Sequence, residues 1–178
     1  MRELVDRIRV EGRHVGGGIV KLDSFLNHQV DPELTRRIGE EFQRRFEEAG
    51  VSAVTRVVTA EASGIAVALS TAMAFGGKLI FARKSQSRVM TGTYFVAEAI
   101  SRTRGIRSDL MIDRRFLTEA DQVLIVDDFL ATGSTLLALC KLVTESGATL
   151  VGIGCVVEKP QEEGRAVLWE FSVPVITL

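Results

Sequence analysis

The chain has 178 residues, with 22 Lys and Arg against 23 Asp and Glu, which gives a formal net charge of −1. This balance gives no support to nonspecific binding of nucleic acid or of an anionic membrane surface. With 46% hydrophobic and 25% charged residues, the composition is typical of a folded globular protein, and the length predicts a single domain over residues 1–178.

The two cysteines, Cys140 and Cys155, lie in apolar runs, where a free thiol packs as a small hydrophobic group. So few cysteines favour a reduced, cytoplasmic protein over a disulfide-linked secreted one. Residues 1–14 are highly charged and lack the apolar segment of a secretory leader, and no uncharged stretch is long enough to predict a membrane-spanning helix.

The first predicted element is an amphipathic helix over residues 31–50. Its apolar residues recur at a spacing of four: Leu34, Ile38, Phe42 and Phe46. Asp31 is the predicted N-cap, Pro32 fits the first turn, and Gly50 ends the helix.

The remaining chain alternates strands and helices. Apolar and β-branched runs predict strands over residues 54–60, 78–82, 122–129 and 149–159. Helices are predicted after the first strand, ending at Gly76, and after the third, ending at Gly147. Continuous apolar strands alternating with helices predict an α/β fold, with a mainly parallel sheet flanked by helices and a ligand site at the carboxyl ends of the strands.

The segment over residues 83–107 is rich in basic side chains. They are Arg83, Lys84, Arg88, Arg102, Arg104 and Arg107, with Glu98 as the single acid among them. One interpretation is a solvated connection or an edge hairpin. The other is a mobile flap that covers an anionic substrate.

The most informative segment is VLIVDDFLATGST, residues 123–135. A buried strand ends in Asp127 and Asp128, and a loop of small residues then opens a helix. Backbone N–H groups, hydroxyls and the helix dipole meet in such a loop, which suits a phosphate monoester. Adjacent strand residues point to opposite sides, so the two carboxylates should have different partners, such as ribose hydroxyls or Mg²⁺ through water. The alternative is a capped turn followed by an ordinary helix start.

This segment resembles the phosphoribosyl pyrophosphate (PRPP) motif of the type I phosphoribosyltransferases, and it lacks the Lys of a Walker A loop. The segments KLDSFLNHQVDPELTRRIGEEF, VVTAEASGIAVAL, IFARK and VVEKP together resemble the xanthine phosphoribosyltransferases within that family. The resemblance implies the type I phosphoribosyltransferase fold. It also implies a small hood from about residues 1–35 and the C-terminal segment, and a flexible flap at about residues 83–115.

The resemblance further implies which residues form the site. Asp127 and Asp128 would be the catalytic pair on the ribose hydroxyls. The 5-phosphate of PRPP would be bound by Ala131, Thr132, Gly133, Ser134 and Thr135. Its pyrophosphate would be bound by Glu61, Ala62, Ser63, Gly64, Ile65, Arg83 and Lys84. The purine would be bound by Val20, Asn27 and Lys159, which without the resemblance are typical of a core residue, a turn residue and a strand-end charge.

The implied reaction transfers ribose 5-phosphate from PRPP to xanthine and releases pyrophosphate, a step of purine salvage. Mg²⁺ carried by PRPP, in contact with Asp127 or Asp128, is the implied cofactor. No dedicated metal site is expected, because His14 and His28 are too few and too far apart. Lys159 has only hydrogen-bond donors, which favours an oxo-purine over adenine. The family implies a homodimer, and we expect no nucleic-acid or membrane partner.

Two alternatives remain open at this stage. Adenine phosphoribosyltransferases have a similar length and nearly the same phosphate motif. A non-catalytic, PRPP-binding regulator would share the fold, although we expect no room in this chain for the added DNA-binding domain of purine repressors. At two positions the sequence departs from the pattern of a phosphoribosyltransferase subfamily. Val20 stands where xanthine enzymes have Leu, and Ala131 stands where hypoxanthine-guanine enzymes have Asp, which argues against that subfamily.

Overall fold

The computed structural model describes residues 1–16, 20–85, 92–101 and 106–178. The α-helices within these ranges are α1 (Arg2–Glu11), α2 (Pro32–Glu48), α3 (Ile65–Phe75) and α4 (Ser134–Ser146). The strands are β1 (Arg13–His14), β2 (Val20–Lys21), β3 (Arg56–Ala60), β4 (Lys78–Ala82), β5 (Tyr94–Ser101), β6 (Ile106–Asp113), β7 (Gln122–Leu130), β8 (Thr149–Glu158) and β9 (Val175–Thr177). Shorter elements are a π-helical turn at Asp23–Asn27 and 3₁₀ helices at Pro160–Glu162 and Ala166–Phe171. None of the described helices combines the length and apolarity needed to cross a membrane.

The central sheet has the strand order β4-β3-β7-β8-β9, and every neighbouring pair in it is parallel. Strands β1 and β2 form a separate antiparallel pair. This arrangement confirms the predicted α/β class and the parallel sheet. Because the strands run in one direction, the ends of β3, β4, β7 and β8 lie at one edge, where loops can build a ligand site.

Both faces of the sheet are covered by apolar packing. On one face, α1, the π-helical turn, α2 and α3 bury a cluster that includes Phe25, Phe42 and Phe46. On the other face, α4, β5, β6 and the 3₁₀ helix at Ala166–Phe171 bury a second cluster around Leu139. The four apolar residues predicted for the buried face of α2 are all fully buried. The N-cap is confirmed as well, since Asp31 accepts from the backbone N–H groups of Glu33 and Leu34.

Helix α1 and strand β9 were missing from the sequence-based prediction. Met1, Leu4 and Ile8 recur on one face of α1 and pack on the core, which was a usable signal, and ion pairs such as Arg37 with Glu3 fasten the helix to α2. Strand β9 has only three residues, and its pairing with Ile153–Cys155 of β8 defines it. A strand of three residues forms because the tertiary structure supplies its partner strand, so the local sequence carries little information about it.

The basic segment contains an antiparallel hairpin of β5 and β6. Phe95 and Leu110 are buried at its base, and Arg83 pairs through its backbone with Met111. The edge-hairpin interpretation is therefore confirmed for the described part. Of the basic residues named above, Arg88, Arg102 and Arg104 lie outside the described residues, and the flap remains a prediction.

Both cysteines are free and buried. Burial raises the pKa of Cys140 to about 12 and raises that of Cys155 as well. The thiols are therefore protonated at neutral pH and act as small packing groups, in agreement with the sequence-based interpretation.

Candidate active site

A cavity of about 350 Å³ lies at the carboxyl edge of the sheet. It is lined by Val20, Ala60, Glu61, Ala62, Ser63, Gly64, Lys84, Asp127, Asp128, Phe129, Ala131, Thr135 and Lys159. Most of the predicted site residues thus meet in one place, although they come from distant parts of the chain. The predicted residues that do not line it are Asn27, Ile65, Arg83, Thr132, Gly133 and Ser134. Ala60 and Phe129 line the cavity but were not among the predicted residues.

The two carboxylates at the end of β7 have different environments and different partners. Asp127 is buried, and its Oδ1 accepts from the backbone N–H of Asp128 at 3.0 Å. Asp128 is half-buried, and its Oδ2 accepts from Nδ2 of Asn27 at 2.6 Å. Burial raises the pKa of Asp127 well above its ordinary range, and the charge of Asp128 adds to this shift. The two carboxylates thus differ in their protein partners, and their contacts with ribose hydroxyls or Mg²⁺ stay a prediction.

The loop between β3 and α3, residues 61–64, forms the opposite wall of the cavity. The peptide bond between Glu61 and Ala62 is cis. Oε1 of Glu61 accepts from the backbone N–H of Lys84 at 2.7 Å, and Oε2 lies 2.9 Å from Nε of Arg83. Glu61 therefore joins the end of β4 to this loop. It holds Lys84 at the cavity and keeps the Arg83 guanidinium in an ion pair.

The loop between β7 and α4 has the form expected of an anion site. Gly133 has φ +76°, a conformation that L side chains rarely adopt, and it lies directly before α4. A Cβ on Gly164 would lie 2.0 Å from the carbonyl oxygen of Ala131, so the C-terminal turn packs backbone against backbone on this loop. The first-turn N–H groups of α4 have no intrahelical acceptors, and the helix dipole favours an anion there.

Val20 of β2, Phe129 of β7 and Lys159 after β8 also line the cavity. Nζ of Lys159 lies 5.5 Å from the centroid of the Phe129 ring and 3.7 Å from Oε1 of Glu162. The backbone N–H of Lys159 donates to Leu130 at 2.8 Å, which fixes the end of β8 beside β7. Phe129 was not predicted as a site residue, although its position directly after the two acids was a usable signal.

No three His, Cys, Asp or Glu side chains among the described residues converge into a site able to hold a metal ion. The carboxylates of Asp127 and Asp128 are nevertheless the hard oxygen donors that Mg²⁺ prefers. Mg²⁺ in nucleotide and phosphate sites commonly takes one or two carboxylates and completes its shell with phosphate oxygens and water. The residues present therefore fit an Mg²⁺ ion that arrives with a phosphorylated ligand.

A larger cavity, of about 610 Å³, lies between β4, β6 and the loop after β6. Several cations line it, but Arg56, Arg83 and Arg115 are each paired with an acid, namely Asp121, Glu61 and Asp113 respectively. It contains neither the acid pair nor the phosphate loop. It is therefore the weaker candidate for a catalytic site, in spite of its size.

Residues 29–176 match the protein family described as "Phosphoribosyl transferase domain", and the chain belongs to this family. Xanthine phosphoribosyltransferase of Deinococcus deserti is 49% identical over 178 residues, covering 100% of this chain and 91% of that protein. The protein of the same name from Moorella thermoacetica is 45% identical over 175 residues, covering 98% of this chain and 88% of that protein. The resemblance noted in the sequence is confirmed.

Solved structures support the fold. Adenine phosphoribosyltransferase from Saccharomyces cerevisiae has a TM-score of 0.78 at 22% identity, covering 99% of both chains. The enzyme of that name from Leishmania donovani has a TM-score of 0.79 at 18% identity, covering 98% of this chain and 78% of the other. At such low identity the similarity shows the type I phosphoribosyltransferase fold and gives no information on the purine.

Proposed function

We propose that the chain transfers the 5-phosphoribosyl group of PRPP to xanthine, giving xanthosine 5'-monophosphate and pyrophosphate. One observation carries this proposal: the acid pair, the 61–64 loop, the phosphate loop and Lys159 all meet at one cavity. The relatives that cover the whole chain carry the name xanthine phosphoribosyltransferase. Purine salvage in the cytoplasm is the proposed setting, and the buried, unpaired thiols are in keeping with it.

The proposed site has a separate place for each part of PRPP. The 5-phosphate binds to the loop Ala131, Thr132, Gly133, Ser134 and Thr135 at the N-terminus of α4. The ribose hydroxyls donate to Asp127 and Asp128. The pyrophosphate lies against the loop of Glu61, Ala62, Ser63, Gly64 and Ile65, with Lys84 and Arg83 beside it. The hood, from about residues 1–35 and the C-terminal segment, covers the purine, and the flap at about residues 83–115 excludes water.

The reaction forms a bond between a purine nitrogen and C1 of ribose while the bond from C1 to pyrophosphate breaks. The sugar becomes cationic in the transition state, so the carboxylates at the ribose stabilise it, and Lys84 stabilises the leaving group. Mg²⁺ bound with PRPP would neutralise part of the pyrophosphate charge. Ala131 lines the cavity at the position where hypoxanthine-guanine enzymes have an Asp. That Asp would act as a base on the purine, and xanthine that has already lost a proton needs no such base.

Purine selection rests on Val20, Asn27 and Lys159 in this proposal. Lys159 can donate to a 6-oxo group, whereas the 6-amino group of adenine would face it donor to donor. One N–H of the Asn27 amide donates to Asp128, which leaves the second N–H and the amide oxygen for a purine. An amide with both a donor and an acceptor can read the 2-position of the purine, where xanthine, guanine and hypoxanthine differ.

The test is turnover with labelled PRPP and four purines: xanthine, guanine, hypoxanthine and adenine. Xanthine should have the largest kcat/KM, and an Asp127→Asn, Asp128→Asn double variant should lose turnover on all four. A preference for adenine would make the chain an adenine phosphoribosyltransferase. PRPP binding without turnover on any purine would favour the non-catalytic regulator. Full turnover by the double variant would refute the assignment of the acid pair.

The proposal includes a homodimer, which the outer face of α3 supports. No residue of α3 is charged, and a helix that is apolar all round is typically buried on every side. Yet Leu69 and Met73 are 48% and 72% exposed, and Phe81 of neighbouring β4 is 40% exposed. A second copy of the chain covering this face would remove these apolar side chains from water.

The oligomeric state can be measured by light scattering after size exclusion. The wild-type chain should have the mass of a dimer, and Met73→Glu should shift it towards the monomer. Val10→Glu is the matched control, because Val10 is an exposed apolar residue on α1, away from this face. A dimer that resists Met73→Glu would place the interface elsewhere.

A further inference from the structure

Asn27 and Asp128 are joined by a hydrogen bond between the hood and the end of β7. Nδ2 of Asn27 donates to Oδ2 of Asp128 at 2.6 Å, across 101 positions of the chain. Hydrogen bonds to a carboxylate are charge-assisted and about twice as strong as neutral ones. The contact couples a residue assigned to the purine directly to a residue assigned to the ribose.

The position of Asn27 is fixed by the turn that carries it. Asn27 ends the π-helical turn Asp23–Asn27, and its backbone N–H donates to Leu22 at 3.1 Å. The preceding Phe25 and Leu26 are buried in the same apolar cluster as Val126 of β7. The turn and the strand are thus packed on one core, which places the Asn27 amide beside Asp128.

The hydrogen bonds of Asp128 leave a defined part of its carboxylate free. Oδ1 accepts from the backbone N–H of Phe129 at 3.0 Å, and Oδ2 accepts from Asn27. An ionised carboxylate has about four acceptor positions, two on each oxygen. One position therefore remains on each oxygen, and Asp128 lines the cavity. These free positions can accept from a hydroxyl of a pentose in the cavity.

We propose that Asn27 is a positioning residue for Asp128, which orients the carboxylate so that its free acceptor positions face the ribose hydroxyls. This inference rests on the proposed function, since it takes PRPP as the ligand of the cavity. It adds to purine recognition a role for Asn27 that operates before any purine has bound. Without Asn27 the carboxylate can rotate about its side-chain bonds, and binding PRPP must then restrict that rotation.

The test measures binding of PRPP with Mg²⁺ by titration calorimetry in the absence of purine. Asn27→Leu keeps a similar volume without the amide and should bind PRPP about tenfold more weakly, the effect of losing one hydrogen bond to a charged group. Ser24→Ala, on the exposed side of the same turn, should bind as the wild type does. Pyrophosphate without a metal ion should bind equally to all three, because it has neither hydroxyls nor Mg²⁺ to contact Asp128.

A double-mutant cycle separates positioning from a general effect on the fold. Once Asp128→Ala has removed the carboxylate, Asn27→Leu should cause no further loss of PRPP affinity. Asn27→Gln, which retains the amide donor, should recover part of the affinity. If Asn27→Leu does not fold, Asn27→Asp has the same shape and gives the same comparison, with a loss at least as large.

The outcomes distinguish this inference from the proposed function. If the wild-type chain fails to bind PRPP, the proposed function is wrong. If the wild type binds PRPP and Asn27→Leu binds it equally well, while the KM for xanthine rises, Asn27 acts on the purine alone and the positioning role is refuted. If Asn27→Leu causes the same loss of PRPP affinity in the wild type and in the Asp128→Ala variant, the positioning role is refuted as well.

Discussion

A Cβ atom on Gly64 would lie 2.3 Å from Oδ1 of Asp127, so the 61–64 loop and the buried carboxylate are in direct contact. The same atom would lie 2.2 Å from Oγ1 of Thr59, which is also buried. Both neighbours are buried, so a Cβ at this position would have to displace one of them or the loop. This position therefore accepts no side chain, and the loop and the acid pair behave as one unit.

Gly64→Ala should displace the loop or Asp127, and we expect kcat/KM for PRPP to fall by about a hundredfold, the effect of a displacement of about 1 Å in a catalytic site. Gly50→Ala is the matched control. Gly50 has φ +87° and lies far from the cavity, so its replacement should lower the melting temperature and leave turnover unchanged. Steady-state kinetics and thermal unfolding of both variants provide the comparison, and equal turnover by Gly64→Ala would contradict the tight contact.

Asp127→Asn should lower turnover by about a hundredfold or more and at the same time stabilise the ligand-free protein. The folded protein holds the Asp127 proton more tightly than the unfolded chain does, because its pKa is raised by burial and by Asp128. As the pH rises above the ordinary carboxyl range, wild-type stability falls until the raised pKa is passed. Asn does not titrate, so the advantage of the variant should grow with pH.

Thermal unfolding of wild type and Asp127→Asn between pH 4 and pH 9 measures this advantage. If the difference in melting temperature between wild type and variant stays constant with pH, the pKa of Asp127 is not raised in the folded protein. A loss of stability at every pH would mean that the carboxylate makes favourable contacts beyond the N–H group of Asp128.

The elements that carry the site could be predicted from the sequence because their signals are local. Strand β7 is a continuous apolar run, and the acids and small residues that follow it belong to one segment, residues 123–135. Parallel strand order then places the 61–64 loop at the same edge. The contacts between segments could not be predicted in this way. The bond of Asn27 to Asp128 and the packing of Gly164 on Ala131 depend on how distant parts of the chain fold together.

Glu158, at the end of β8, fastens the C-terminal segment. Nη2 of Arg165 donates to its Oε2 at 2.5 Å, and Oγ1 of Thr177 donates to the same oxygen at 3.2 Å. The Arg165 guanidinium lowers the pKa of Glu158, so this contribution to stability is present above the ordinary Glu range and is lost as the pH falls through the lowered value. Glu158→Gln should cost about 1 kcal/mol of unfolding free energy at pH 7.

Urea denaturation at pH 7 and at a series of lower pH values tests this expectation. The gap between wild type and Glu158→Gln should shrink as the pH falls below the ordinary Glu range. The control is Glu163→Gln, an exposed residue of the same segment, which should change the unfolding free energy by less than about 0.5 kcal/mol at any pH. A gap that does not change with pH would show that the charge of Glu158 contributes nothing.

Lys159→Met removes the ammonium group from the wall of the cavity and nearly keeps the length of the side chain. A hydrogen bond to a charged group contributes about 1.5–3 kcal/mol, so kcat/KM for xanthine should fall by about 10- to 100-fold. Adenine, which cannot accept from Lys159 at its 6-amino group, should lose nothing. Glu162→Gln is the control, because Glu162 pairs with Lys159 at 3.7 Å and does not line the cavity; its kinetics should stay within about threefold of wild type. An equal loss on both purines would show that Lys159 does not discriminate between them.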